Sequence, residues 1–368
     1  MGLDAPYPYF GGKQAAAPII WAALGDVPSY VEPFAGSAAV LLCRPEDHKG
    51  SRELINDADG FVSNFWRAIK HDPAATAGWC DWPVTERDLA ARHHWLITQG
   101  RERLTTLEGD PEAYCPQVAG WWCWGLCAWI GSGWCSSNGP WVWDGAAWVK
   151  VAQGVNRKMP NVSPQGRRGI NRQMPGVSPQ GRNGINRQMP AGSHAGQGTN
   201  RKNINIYGWF DTLAARLRRV SVLHGDWKRA VKSPSILGIN QYTHAGVFLD
   251  PPYDTTVRHS RLYAHDTPGV AKDVRDWCLA NGANPRLRIV LAGYDNEGHA
   301  APLTQAGWRQ TAGKSMRGGG YANQSGDNKN TKRETLWLSP ACLGGTMADY
   351  LSAYDADVIA LGGEPLGL

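Results

Sequence analysis

The chain has 368 residues, is 42% hydrophobic and carries a formal net charge of +6, which allows one large or two modest domains with real cores. No run of about 18 apolar residues occurs, and the N-terminus lacks a basic-then-apolar secretion signal. We therefore expect a soluble cytoplasmic protein with no membrane segment. The eight cysteines form no C-x-x-C pair, which favours buried free thiols over a metal site.

The positive charge is concentrated in one part of the chain. Residues 150–210 contain ten Lys or Arg and no Asp or Glu, whereas the whole chain carries +6, so the remainder is about four units negative. Local cationic charge amid Asn, Gln and Gly suits a surface that binds a polyanion, because each neutralised phosphate releases counterions. A disordered, solvated segment would have the same composition, so charge alone does not separate the two.

The first motif is Tyr9-Phe10-Gly11-Gly12-Lys13, which precedes a predicted helix over residues 14–24. The two glycines let the backbone approach a ligand closely, and the lysine places a cation at the start of the helix. By itself the motif is a weak indication, because Gly-Gly before a helix is commonly only a turn.

The second motif follows a short strand predicted to end near Glu32. Its loop consists of Pro33, Phe34, Ala35, Gly36 and Ser37, and a helix that begins with small residues comes next. Small residues there let a cofactor approach the N–H groups of a helix N-terminus. The pattern is neither G-x-G-x-x-G nor a P-loop, which disfavours a nicotinamide cofactor or a P-loop nucleotide. Glu32 would repel a phosphate and attract the ammonium group of an amino acid.

Two further acids follow predicted strands. Residues 53–57 are predicted as a strand ending in Asp57, at the spacing where an acid holds the two hydroxyls of a ribose. A helix over 58–70 follows. A strand over 220–224 then leads to Asp226 and Trp227, where Asp226 could accept a hydrogen bond from an adenine amino group. Each acid alone is as readily a helix cap or turn residue. Ammonium, ribose and adenine sites in chain order are typical of S-adenosylmethionine.

The chemistry of the chain is expected at Asp250-Pro251-Pro252-Tyr253, where an apolar strand over 247–249 stops. The prolines remove two backbone donors, so the carbonyls of Asp250 and Pro251 are free to face a ligand. A carboxylate and a carbonyl acceptor beside a flat ring suit a planar group with an amino function, such as the exocyclic amine of a nucleobase. For the motif alone, a strand followed by a Pro-Pro turn is the alternative.

The middle of the chain holds a tryptophan-rich stretch and a repeat. Residues 121–148 include eight tryptophans, for which we favour a compact apolar core over stacking on bases. Behind them, Gly-Val/Ile-Asn-Arg-x-Met-Pro recurs every fifteen residues from position 154, with a degenerate fourth copy from 198. Its Asn-Arg pairs could track phosphates or read bases. A disordered low-complexity tract or a stalk for protein contacts is the alternative.

Four motifs in this order resemble those of Dam-type, alpha-group adenine-N6 DNA methyltransferases. They are Phe10-Gly11-Gly12-Lys13, Glu32 to Ser37, Asn56-Asp57 and Asp250-Pro251-Pro252-Tyr253. The likeness covers roughly residues 5–70 and 220–340. The sequence departs from many relatives in the loop after Phe34, where they carry Gly-Ser/Gly-Gly, and in the middle of the chain.

The resemblance implies an α/β fold with a Rossmann-like sheet that binds S-adenosylmethionine, interrupted by a Trp-rich, basic target-recognition insert. The expected parts are a cofactor-binding half (1–72), the insert (73–219), a catalytic half (220–340) and a tail (341–368). The implied reaction is methyl transfer to N6 of an adenine flipped out of double-stranded DNA. Cytosine-N4 methylation and an inactive DNA-binding protein with this fold stay open.

The resemblance also implies partners and a location. Double-stranded DNA is the expected partner, and a homodimer and a cognate restriction endonuclease are left open. The expected location is the cytoplasm of a prokaryotic cell, with a phage or prophage origin also left open.

The implied site residues form three groups, none of which needs a metal. The catalytic group is Asp250, Pro251, Pro252 and Tyr253. The cofactor-binding group is Tyr9, Phe10, Gly11, Gly12, Lys13, Glu32, Pro33, Phe34, Ala35, Gly36, Ser37, Asp57, Asp226, Trp227 and Asp250. The DNA-binding group is Ser132, Trp134, Ser136, Ser137 and Asn138, the repeat residues Arg157, Arg172, Arg187 and Arg201, and Lys314 and Arg317 in a basic loop that the family places near the DNA.

Overall fold

The computed structural model describes residues 2–9, 12–50, 52–129, 134–135, 141–143, 148–150, 205–240, 243–252, 269–294, 297–311 and 334–344. Its strands are β1 (Ser29–Glu32), β2 (Arg52–Asp57), β3 (Trp141–Trp143), β4 (Trp148–Lys150), β5 (Val220–His224), β6 (Ala245–Leu249), β7 (Leu287–Tyr294), β8 (Arg309–Thr311) and β9 (Glu334–Leu338). Its α-helices are α1 (Ala17–Leu24), α2 (Ala39–Leu42), α3 (Gly60–His71), α4 (Pro73–Cys80), α5 (Glu86–Trp95), α6 (Arg101–Arg103), α7 (Pro116–Ala128), α8 (Ile206–Leu217), α9 (Pro234–Leu237), α10 (Val270–Asn281) and α11 (Ala300–Gln305).

A seven-stranded sheet in the order β5-β2-β1-β6-β7-β9-β8 organises the fold. The five strands from β5 to β7 run parallel, and β9 and β8 close the other edge in antiparallel pairing. Every residue of β1 and β6 is buried, as expected for central parallel strands that are covered on both faces. The predicted α/β class with a Rossmann-like sheet is confirmed.

Helices cover both faces of the sheet and form two apolar cores. One core joins the buried residues of α1, α2, α3, α7 and α8, and the other joins α10 and α11 to the opposite face of the strands. Helix α3 illustrates how the helices contribute to these cores. Its residues Phe61, Phe65 and Ile69 lie on one buried face, as predicted. The carboxylate of Asp59 accepts the N–H of Phe61 and so caps the first turn.

The predicted helix over residues 14–24 begins later than expected, at Ala17. Pro18 explains the difference, because proline lacks the N–H that a helix interior requires and is tolerated in the first turn. Had the helix begun at Gln14, Pro18 would have stood where its N–H should bond to a carbonyl four residues earlier.

Helices from the predicted insert share the core of α3. Trp122 and Trp124 of α7 are buried within it, and the guanidinium of Arg216 in α8 donates twice to Glu53 of β2, at 2.6 and 2.8 Å. For these two tryptophans of α7, the structure agrees with the prediction that the tryptophan-rich stretch forms an apolar core. The domain boundaries stay a prediction, and residues 151–204 with the repeat lie outside the described residues. In the ranges that the structure describes, no helix is long and apolar enough to cross a membrane.

Candidate functional site

The carboxyl ends of β1, β2, β5 and β6 surround a pocket of about 290 Å³. Thirteen residues of the predicted cofactor-binding group are described, and all of them line this pocket: Tyr9, Gly12, Lys13, Glu32, Pro33, Phe34, Ala35, Gly36, Ser37, Asp57, Asp226, Trp227 and Asp250. In the catalytic group, Pro252 lines the pocket and Pro251 is buried. Phe10, Gly11 and Tyr253 lie outside the described residues.

The loop after β1 bends sharply at the wall of the pocket. Gly36 has a φ of +46° and Ala38 a φ of +50°, both in the left-handed region. The N–H of Gly36 donates to the carboxylate of Asp57 at 2.9 Å. A Cβ atom on Gly36 would lie 2.4 Å from the ring of Tyr9, so the turn requires glycine for both its conformation and its space.

Glu32 stands at the end of β1 with only 2% of its surface exposed. One carboxylate oxygen accepts the hydroxyl of Tyr30 at 3.0 Å and the N–H of Leu41 at 3.2 Å. Burial raises the pKa of Glu32 to about 8, although both of these hydrogen bonds act in the opposite direction. The charge of this carboxylate is therefore sensitive to whatever binds beside it.

Asp57 at the end of β2 connects two loops. Its two carboxylate oxygens accept the N–H groups of Gly36 and Asp59, at 2.9 and 2.8 Å. Burial raises the pKa of Asp57 to about 7 and the charge of Asp59 adds to this, while the backbone donors oppose it.

The pocket contains more acids than the sequence analysis singled out. Asp59 and Asp273 join the four predicted carboxylates, and the lysines that line the pocket are Lys13 and Lys228. An excess of negative charge favours a cationic ligand and disfavours a phosphate. Asp59 lies two positions after Asp57 and could have been proposed from that spacing. Asp273 could not, because it comes from α10 and meets Lys228 across the fold at 2.7 Å.

Two aromatic side chains form another part of the wall. The rings of Phe34 and Trp227 lie 5.7 Å apart at an angle of 32°, and Trp277 supports Trp227 from α10 in an edge-on contact of 6.4 Å. The carboxylate of Asp226 accepts the N–H of Lys228 at 2.8 Å. This wall offers a flat apolar surface beside an exposed acceptor, which suits an aromatic base.

Asp250 and Lys13 form an ion pair inside the pocket. The ammonium nitrogen of Lys13 lies 2.7 Å from the carboxylate of Asp250, and the two side chains are 4% and 19% exposed. The carboxylate of Asp250 thus already accepts from an ammonium group inside the pocket. The motifs of Lys13 and Asp250, far apart in the sequence, are brought into contact here.

The predicted DNA-binding group is mostly outside the described residues, with Trp134 as the exception. Trp134 is half-buried, and its indole N–H donates to the carbonyl of Trp122 at 3.0 Å. Its ring packs against those of Trp129 and His93, 5.2 and 5.5 Å away. The N–H of Trp134 is therefore occupied by a hydrogen bond to α7, and its contact with DNA stays a prediction. Among the described side chains, no cluster of His, Cys, Asp or Glu could hold a metal ion.

Residues 9–87 match the model of a protein family described as D12 class N6 adenine-specific DNA methyltransferase. The match includes the Gly12-Lys13, Glu32 to Ser37 and Asp57 motifs of the pocket. The family is that of adenine-specific DNA methyltransferases. The resemblance predicted from the sequence is confirmed, and the family description supports methylation of the adenine N6 amine in DNA. No match was found among curated proteins.

A methyltransferase of this family acts on DNA and conventionally uses S-adenosylmethionine. The family match ends before Asp250, so the roles of the catalytic motif rest on the resemblance and on the geometry of the pocket.

Proposed function

We propose that this methyltransferase binds S-adenosylmethionine in the pocket and methylates an adenine presented beside Asp250. The observation that carries the proposal is the convergence of four carboxylates from the ends of four strands, Glu32, Asp57, Asp226 and Asp250, on one pocket. Open α/β sheets bind their ligands at this edge, outside the carboxyl ends of the strands.

The residues present fit the cofactor. Glu32 would hold its ammonium group, and Asp57 would accept from the ribose hydroxyls, because an ionised carboxylate has about four acceptor sites and two N–H donors occupy part of them. Asp226 would accept from the adenine amine while Phe34 and Trp227 hold the ring. The excess of acids over lysines suits a ligand that carries a sulfonium and an ammonium group. When bound, the cofactor supplies an electrophilic methyl group.

The chain's own part in the transfer is to receive and orient the target amine. An adenine must leave the duplex to enter the pocket, at a cost of a few kcal/mol. The carboxylate of Asp250 and the carbonyl of Pro251 would then accept its two N–H bonds, with Tyr253 stacked on the ring. Lys13 holds the carboxylate of Asp250 in the pocket until the base arrives, and the base would displace or share that contact. Positioning in line with the methyl group supplies much of the rate.

The insert would present the DNA. The basic, acid-free character of residues 150–210 supports contact with the phosphates of double-stranded DNA. A homodimer, a cognate restriction endonuclease and a prokaryotic cytoplasmic location stay predictions.

The variant Asp250→Ala tests the assignment of the target-base site. We expect the purified variant to lose methyl transfer to DNA by at least about a thousandfold, because the acceptor of the reacting amine is removed. Its affinity for S-adenosylhomocysteine should fall far less than its turnover, because Glu32, Asp57 and Asp226 still line the pocket. Asp276→Ala, which removes an exposed carboxylate paired with Lys272 on α10, is the control. Normal turnover by Asp250→Ala would contradict the mechanism.

A further inference from the structure

The carbonyl of Gly36 is held by two buried donors that do not line the pocket. The hydroxyl of Tyr7 donates to it at 3.0 Å, and the indole N–H of Trp66 donates to it at 2.9 Å. Tyr7 comes from the segment before the first motif, and Trp66 comes from the middle of α3. A main-chain carbonyl that receives two side chains from different parts of the core is fixed in direction.

Both donors are themselves fixed by packing. The ring of Tyr7 makes edge-on contacts with Phe65 at 5.0 Å and with Trp122 at 4.9 Å. Trp66 is fully buried and makes a further edge-on contact with Phe65 at 5.1 Å. Because neither side chain can turn away without disturbing this core, the two donors hold the carbonyl in one orientation before any ligand binds.

The direction of this carbonyl sets the direction of the next N–H. The peptide bonds of the described chain are trans, and in a planar trans peptide the carbonyl and the following N–H point in opposite directions. The carbonyl of Gly36 points towards Tyr7 and Trp66, so the N–H of Ser37 points away from these two side chains. Gly36 and Ser37 both line the pocket.

A hydrogen-bond donor at this position could bind the carboxylate of the proposed cofactor. The amino-acid end of the proposed cofactor carries a carboxylate as well as an ammonium group, and the acid-rich lining would repel the carboxylate. A backbone N–H is a strong donor to a carboxylate. Donation by Tyr7 and Trp66 to the carbonyl of the same peptide also polarises its N–H, which strengthens that donor.

We propose that Tyr7 and Trp66 are positioning residues that aim the Ser37 N–H at the carboxylate of the cofactor's amino-acid end. The inference rests on the proposed cofactor site and extends it to two residues that touch neither cofactor nor DNA. Loss of either donor lets the peptide between Gly36 and Ser37 turn, and the carboxylate then loses its partner.

The test uses Tyr7→Phe, Trp66→Phe and a matched control, Trp124→Phe. Trp124 is also fully buried in the same core, and its indole N–H donates to the carbonyl of Trp82 at 2.8 Å, away from the Gly36 turn. Tyr7→Phe removes a single oxygen and keeps the ring, so it tests the inference even where a core tryptophan variant folds poorly.

The readout is the affinity of each protein for two nucleosides, measured by calorimetry. S-adenosylhomocysteine carries the amino-acid end, and 5′-methylthioadenosine lacks it. We expect Tyr7→Phe and Trp66→Phe to bind S-adenosylhomocysteine about three- to tenfold more weakly, the effect of losing one hydrogen bond. Their affinity for 5′-methylthioadenosine should stay within about twofold of the wild type, and Trp124→Phe should bind both nucleosides normally.

The outcomes separate this inference from the proposed function. If the wild type binds neither nucleoside, the proposed cofactor site is wrong, and so is the positioning role of Tyr7 and Trp66. If the wild type binds both and Tyr7→Phe loses affinity for both equally, Tyr7 supports the pocket as a whole and the positioning role is wrong. Unchanged affinity of Tyr7→Phe for S-adenosylhomocysteine would also overturn it.

Discussion

Replacing Glu32 with glutamine tests whether the negative charge at the end of β1 holds the cofactor's ammonium group. Glutamine has nearly the same shape, and its carbonyl oxygen can still accept from Tyr30 and Leu41, so the surrounding hydrogen bonds persist. The substitution therefore removes the charge and its titration, and leaves the packing of the strand end in place.

The raised pKa of Glu32 determines how the affinity for S-adenosylhomocysteine should change with pH. With a pKa of about 8 in the folded protein, Glu32 is about 1% ionised at pH 6 and about half ionised at pH 8. If binding requires the ionised form, the affinity of the wild type for S-adenosylhomocysteine rises up to about fiftyfold over that range. The contribution of Glu32 to the free energy of unfolding has the opposite pH dependence. It is full below the carboxyl's ordinary pKa and is lost as the pH rises through about 8.

The assay is calorimetric titration with S-adenosylhomocysteine between pH 6 and pH 8, in two buffers of different ionisation heat. The wild type should bind more tightly as the pH rises and should release protons on binding below pH 8. Glu32→Gln should bind more weakly at pH 8, and its remaining pH dependence should come from Asp57, whose pKa is about 7. A variant whose pH profile equals that of the wild type would refute the assignment of the ammonium site to Glu32.

Two further variants test the framework of the site. Gly36→Ala should lower the melting temperature and abolish tight binding of S-adenosylhomocysteine, because its Cβ would lie 2.4 Å from the ring of Tyr9, whereas Gly109→Ala, with nothing within 4 Å of its Cβ, should change neither. Arg67→Met should reduce the free energy of unfolding in urea by about 3 kcal/mol or more, because four backbone carbonyls lose their donor. The exposed control Arg218→Met should cost less than about 0.5 kcal/mol. Equal losses would contradict the view that the hydrogen bonds of Arg67 to Val222 and to residues 107–113 stabilise the fold.

The strands β1, β2, β5 and β6 could be predicted from short runs of apolar residues that end at an acid or a turn. Central parallel strands are buried on both faces and therefore read as short apolar runs, as in residues 245–249, which end directly before Asp250. The acids at strand ends could be grouped for the same reason, because parallel strands bring their carboxyl ends to one edge. Glu32 and Asp57 end β1 and β2, Asp226 comes two residues after β5, and all three line one pocket.

The contacts between distant side chains could not be predicted. The ion pair of Lys13 with Asp250 and that of Lys228 with Asp273 depend on how loops meet after the sheet has formed. The hydrogen bonds from Tyr7 and Trp66 to the Gly36 carbonyl depend on the orientation of one peptide, which no residue pattern encodes. Burial raises the pKa values of Glu32 and Asp57, and that burial also comes from the assembled fold.

The most direct test of the central claim is to sequence native DNA from cells that express the wild type or Asp250→Ala, with a method that reads modified bases. We predict N6-methyladenine at a defined sequence motif in the wild-type sample, and its loss with Asp250→Ala. Methylcytosine in place of methyladenine, or the same methyladenine pattern with the variant, would contradict it.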